Sequence, residues 1–199
     1  MTDFKIQNLI FHEIGPINLS IATAECVGLT GQSGIGKTLF LRALGDLEPS
    51  KGQILLGEAA IDSISAPEWR KQVGLLPAES SWWFDTVGEH FKKVDIADLV
   101  AFGFNQKVME WDISRLSSGE RQRLALLRLL ANHPRVLLLD EPTANLDEEN
   151  KLRAEHYLIN FLKKNQVIAL WVSHDLQQLS RVASRIYNMS AKGLTILGK

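Results

Sequence analysis

The chain has 199 residues, 45% apolar and 23% charged, with 22 basic against 23 acidic side chains and a formal net charge of −1. That balance excludes a disordered or collagen-like chain and leaves no broad positive field, so no nucleic-acid partner is expected. A lone cysteine, Cys26, excludes an intramolecular disulfide framework and a cysteine-built zinc cage.

At roughly 100–200 residues per domain, the length predicts one domain over residues 1–199. The longest apolar runs, VIALWV (167–172) and VLLL (136–139), fall far short of the ~20 residues of a membrane span. The opening MTDFKIQNLIFHEIG carries an acid and lacks a signal peptide's long apolar stretch. A reduced, cytoplasmic location is therefore expected, with Cys26 as a small buried side chain among the apolar neighbours of AECVGLT.

Short apolar runs bounded by turn residues alternate with helical patterns, which predicts an α/β fold with a mostly parallel core sheet. In chain order, strands are expected at 4–11, 16–21 and 25–30. A glycine-rich loop follows, then a helix at 37–44 with apolar residues at 40, 41 and 44 and a stop at Gly45. Strands at 53–56 and 72–76 come next. From about 80 to 116 aromatics cluster and the helical pattern weakens, which predicts a small helical lobe inserted into the core. A helix at 120–132, with Leu124, Leu127 and Ala131 on one face and a stop before Pro134, leads into a strand at 136–140. A helix at 147–164 and strands at 167–172, 185–189 and 194–197 complete the chain. The strands at 4–11, 16–21 and 53–56, and the last two joined through Lys192-Gly193, read as antiparallel trim.

Gly31, Gln32, Ser33, Gly34, Ile35, Gly36, Lys37 and Thr38 match G-x-x-x-x-G-K-[ST] between a strand and a helix, as a phosphate loop requires. Glycines let backbone amides converge on phosphate oxygens, and the helix N-terminus adds favourable partial charge. Lys37 would reach the β- and γ-phosphates and the Thr38 hydroxyl would ligate Mg²⁺, with Leu39 completing the candidate nucleotide-binding run. The bland alternative is a glycine-rich turn with an exposed lysine.

VLLLDE (136–141) reads as a buried strand ending in two acids. Asp140 is placed to hold Mg²⁺ and Glu141 to orient or deprotonate a water, unless the pair merely closes a D-E-P turn. His174 follows VIALWV and would donate to the γ-phosphate; its bland reading is a loop residue or cap. Gly31, Asp140 and His174 all follow the carboxyl ends of apolar strands, where α/β sheets gather ligand groups.

LSSGE, Leu116 to Glu120, resembles the LSGGQ signature of ABC-type ATPases. The stretch ERQRLALLRLLANHPRVLLLDEPTANLD resembles the run to that family's Walker B and D-loop, so the resemblance spans essentially the whole chain. It implies ATP and Mg²⁺ as ligands, Lys37, Glu141 and His174 as catalytic groups, and Thr38 and Asp140 at the metal. It also implies a D-loop at Asn145-Leu146-Asp147 and an adenine contact at Phe11, for which a strand core aromatic is the equal alternative. In such proteins the signature loop, here Ser117, Ser118 and Gly119, contacts the other subunit's nucleotide. The resemblance thus implies a head-to-tail homodimer on the cytoplasmic face of a membrane, serving a separate membrane-spanning transporter subunit. Locally, Ser117 and Glu120 also read as a helix capping box.

The sequence departs from the family at Ala78, where a glutamine is usual, with Glu79 a candidate substitute, and at Ser118, where a glycine is usual. A left-handed backbone at Ser118 would be strained. Trp82-Trp83-Phe84 falls where family members receive a membrane subunit, or else packs within the lobe. Two other readings remain: a soluble ABC-type ATPase acting on DNA or ribosomes, and an ATP-sensing module with weak turnover, suggested by Ala78.

Overall fold

The computed structural model describes residues 3–198; Met1, Thr2 and Lys199, at the limits of the expected domain, lie outside them. Strands β1 (Phe4–Phe11), β2 (Ile14–Ile21), β4 (Lys51–Leu56) and β5 (Ala59–Ala60) form an antiparallel sheet in the order β2-β1-β4-β5. The second sheet runs β10-β9-β3-β8-β7-β6, from β3 (Cys26–Thr30), β6 (Val73–Leu76), β7 (Val136–Asp140), β8 (Ile168–Val172), β9 (Arg185–Ser190) and β10 (Gly193–Gly198). Its strands from β9 to β6 are mutually parallel. The expectation of trim for both final strands is corrected here: β9 extends the parallel core beside β3, and only β10 pairs antiparallel.

The core strands are buried on both faces, and alternation sorts their side chains. Leu137, Leu139, Ala169 and Trp171 face one cluster, whereas Val136, Leu138, Ile168, Leu170 and Val172 face the other. The second cluster holds α1 (Lys37–Leu44) between the two sheets through Phe40, Leu41 and Leu44. The first carries α4 (Ser118–Leu130), α5 (Glu148–Asn165) and α6 (Leu176–Val182). Cys26 is buried there, and burial pushes its thiol up to about 12.

Two seven-residue helices escape the periodicity reading, α2 (Ala66–Gln72) and α6. Each is too short for two full turns of apolar spacing. Their signals are local: Pro67 in the first turn of α2, and the Asp175 carboxylate accepting the Gln178 amide at 3.0 Å before α6. Residues 80–116 hold one six-residue helix, α3 (Ile96–Ala101), and three short 3-10 turns. Asp95, Asn105 and Asp112 each accept an amide two residues on, so local side-chain turns replace longer helices. Val87, Leu99, Phe102 and Val108 anchor this region in the first cluster.

Candidate active site

Because β3, β8 and β7 are parallel neighbours, the loops leaving their carboxyl ends lie side by side. After β3, Gly34 and Gly36 adopt φ of 78° and 101°, and the chain enters α1 through the left-handed Gly36. The backbone angle at Gly36 demands glycine, and a Cβ there would also have to displace the tip of Ile14, 2.6 Å away. Gln32, Ser33 and Gly34 are exposed, whereas Ile35 and Leu39 turn their side chains onto the core. Lys37 is 7% exposed and donates Nζ to the Gly31 and Gln32 carbonyls at 2.8 and 3.1 Å. Burial pulls its ammonium below the usual lysine range, against the opposing charges of Glu141 and Asp140.

Next in α1, Thr38 Oγ1 donates to Asp140 Oδ2 at 2.7 Å, joining the phosphate loop to the end of β7. Glu141 has φ of 47°, unusual for a side chain larger than glycine, and its amide donates to Val172 O at 3.1 Å. The strained residue is therefore tied to β8. Its Oε1 is buried without a hydrogen-bond partner, and His174 Nε2 stands 3.6 Å away, beyond hydrogen-bond reach but close enough to attract. Burial raises the Glu141 carboxyl above the usual carboxylate range, with His174 the principal opposing influence. An unpartnered buried oxygen beside a hydroxyl–carboxylate pair is an oxygen-rich, incompletely satisfied centre. Lys37, Thr38, Asp140, Glu141 and His174 converge at this one edge.

Other expected residues lie elsewhere. Phe11 is corrected: it is 2% exposed and stacked on Phe40 at 5.7 Å, so neither ring face is open to a base. The exposed His12 beside it is held by Glu48 at 2.7 Å. Ser117 caps α4 in a reciprocal box, with its amide donating to Glu120 Oε2 at 2.9 Å and its Oγ accepting the Glu120 amide at 3.2 Å. Ser117 and Ser118 are exposed, and Ser118 is absent from the left-handed residues, so the strain expected there does not arise. Gly119 packs on the D-loop, where a Cβ would approach Asn145 O at 3.0 Å. The Asp147 carboxylate caps α5, accepting the Asn150 amide at 2.9 Å and side chain at 2.8 Å. Ala78 and Glu79 are exposed beyond β6, and among the described residues Glu79 has no hydrogen bond or ion pair to the loop.

The aromatic run is unevenly exposed. Trp82 is half-buried under the Arg128 guanidinium, 4.5 Å from its ring centroid, whereas Trp83 is 63% exposed. His90 Nε2 accepts the Trp83 and Phe84 amides at 3.0 and 3.1 Å, which assigns the ring proton to Nδ1, facing Thr86 O. Sequence reading passed over Gln122, Thr143 and Gln178, buried polar side chains behind Glu141. A single polar residue in an apolar helix face carries no motif, and only an interruption of that face marks Gln122 and Gln178.

A family model described as ABC transporter matches residues 14–144. The energy-coupling factor transporter ATP-binding protein EcfA2 of Caldanaerobacter subterraneus subsp. tengcongensis is 30% identical, over 92% of this chain and 70% of that protein. The sulfate/thiosulfate import ATP-binding protein CysA of Pseudomonas putida is 34% identical, over 90% of this chain and 60% of its own. Two further relatives are matched over 53% and 79% of their length, so the chain spans only part of these curated relatives. A solved dimeric ATP-binding cassette in a post-hydrolysis state, bound to ADP and Pi, has the same fold, with a TM-score of 0.85, 21% identity and 98% coverage of both chains. Motif, fold and family model agree: the chain belongs to the ABC transporter family and is one of its ATP-binding, ATP-hydrolysing cassettes.

Proposed function

We propose that this cassette powers transport through a separate membrane-spanning subunit, and that two copies close head to tail on two ATP molecules. The observation that carries the reading is the convergence of Lys37, Thr38, Asp140, Glu141 and His174, with Glu141 Oε1 left unpartnered. The amides of Gly31 to Thr38 and Leu39 cradle the phosphates at the N-terminus of α1, and Lys37 moves from its two carbonyls to the β- and γ-phosphates. Glu141, raised by burial, takes the proton of the attacking water, and His174 donates to the γ-phosphate. Thr38 and Asp140 offer the hard oxygen donors that suit magnesium, which would take its remaining oxygens from phosphate and water and neutralise developing charge there.

Ser117, Ser118 and Gly119 stand exposed or half-exposed at the N-terminus of α4, where they offer a second anion site to the ATP held by the other copy. Trp83 and Phe84 supply exposed aromatic anchors for the membrane subunit, and the cassette works on its cytoplasmic face. No helix among the described residues is long and apolar enough to cross a membrane.

The test is Glu141→Gln. It keeps ATP affinity, lowers phosphate release to background and yields a dimer in size-exclusion chromatography with MgATP. A monomer at every protein concentration overturns the closure. Ala78 favours a second reading, an ATP sensor with weak turnover. Ala78→Gln separates the two: a several-fold rise in hydrolysis identifies a missing ligand as the limit, and an unchanged rate counts against it.

A further inference from the structure

Behind Glu141, buried side chains from three helices grip the chain. On α6, Gln178 is 2% exposed and commits both hydrogens of its Nε2, one to Thr143 Oγ1 at 2.7 Å and one to Glu155 Oε1 at 2.8 Å. Glu155, on α5 and 5% exposed, receives Arg181 through Nε on Oε2 at 2.8 Å and Nη2 on Oε1 at 2.9 Å. From α4, Gln122 Nε2 donates to Pro142 O at 3.1 Å. The main-chain amide of Gln178 is itself bound by Asp175 Oδ1 at 3.0 Å, one residue beyond His174.

An amide with both hydrogens engaged in a buried setting cannot flip without leaving a donor unpaired. The Gln178 side chain is thus a fixed strut. One end holds Thr143, two residues past Glu141; the other is rooted in the helix turn that follows His174. Glu141 also sits in a left-handed conformation, which persists only where surrounding structure over-determines it.

We propose that Gln178, oriented by the Glu155–Arg181 pair, is a positioning residue for ATP hydrolysis: by tying Thr143 to the start of α6 it sets the Glu141 carboxylate against His174. This rests on the reading of Glu141 as the group that activates water. The strut touches no phosphate-loop residue, so its effect falls on the chemical step and leaves nucleotide capture alone.

The experiment compares MgATP hydrolysis by the full chain and by Gln178→Met, Thr143→Val, Thr143→Ser and Glu141→Gln, with nucleotide Kd measured for each. Misplacing a reacting group by ~1 Å costs on the order of 100-fold, so Gln178→Met and Thr143→Val lower kcat at least about tenfold. KM and Kd stay within about twofold, and the double variant is no slower than the slower single one. Thr143→Ser, which keeps the hydroxyl, restores kcat, a rescue that a loss of general stability does not produce. Parental kcat in Thr143→Val with only a lower Tm overturns the proposal, provided Glu141→Gln is inactive. Should Glu141→Gln hydrolyse ATP at the parental rate, the reading of Glu141 falls and the inference with it. If Gln178→Met does not fold, the two Thr143 variants decide alone.

Discussion

The edge where β3, β7 and β8 end and the turn ahead of α4 both present polar groups that lack partners within their own elements. They resolve the problem in opposite ways. At the edge, partners come from far along the chain: Thr38 reaches Asp140 and the Glu141 amide reaches Val172. One buried oxygen of Glu141 still stays unpaired, and the backbone there is strained. At the turn, Ser117 and Glu120 satisfy each other three residues apart, in a relaxed backbone. The edge is held preorganised and incomplete, which suits chemistry on a ligand that completes it. The turn is complete alone and merely exposed, which suits a surface used only when a second molecule arrives.

Lys37→Ala should break the comparison most severely. It removes the cation that spans the phosphate loop, and hydrolysis falls on the order of 10²–10³-fold, the cost of deleting one preorganised charge-stabilising donor. Steady-state phosphate release measures this, and parental turnover would remove the edge from the reaction.

A smaller effect appears in the pH profile. Glu141 acts unprotonated, so the rate is level above its folded pKa and falls as pH drops through it. Because burial raises that pKa, the acid limb lies above the range of an ordinary glutamate. His174 is the main influence lowering it, so in the residual activity of His174→Ala the limb moves to higher pH. A limb that stays in place shows that the two groups do not interact during turnover.

Ser117→Ala sharpens the other side. Losing a helix cap costs about 1 kcal/mol, and for a chain of this size Tm falls by roughly 2–4 °C in calorimetry. ATP affinity of the monomer stays unchanged, because the hydrogen bonds of Ser117 run to Glu120 and not to the phosphate loop. Weaker monomer binding would place the turn at its own nucleotide instead.

The phosphate loop, Asp140, Glu141 and His174 were all legible because each sits at a junction with a local signature. Glycines mark the left-handed angles, and leucine-rich or valine-rich runs mark the strands that end beneath the acids and the histidine. Phe11 was not legible. An aromatic at the end of an edge-sheet strand is compatible with either face, and only Phe40 rising from α1 shows which one is covered. The strut through Gln178 was equally hidden, since Thr143, Glu155 and Gln178 meet only when three separate segments pack.

By themselves, the residues in order determined the local devices: the glycine-bearing loop, the caps at Ser117, Asp147 and Asp175, and the two-faced burial of the central strands. These depend on backbone angles and on partners a few positions away. Only the tertiary structure decided that β9 joins the parallel core, that Phe11 is sealed, and that Glu141 and His174 stand 3.6 Å apart. Strand order and side-chain proximity minimise the free energy of the whole packed chain, and no short window of sequence contains that sum.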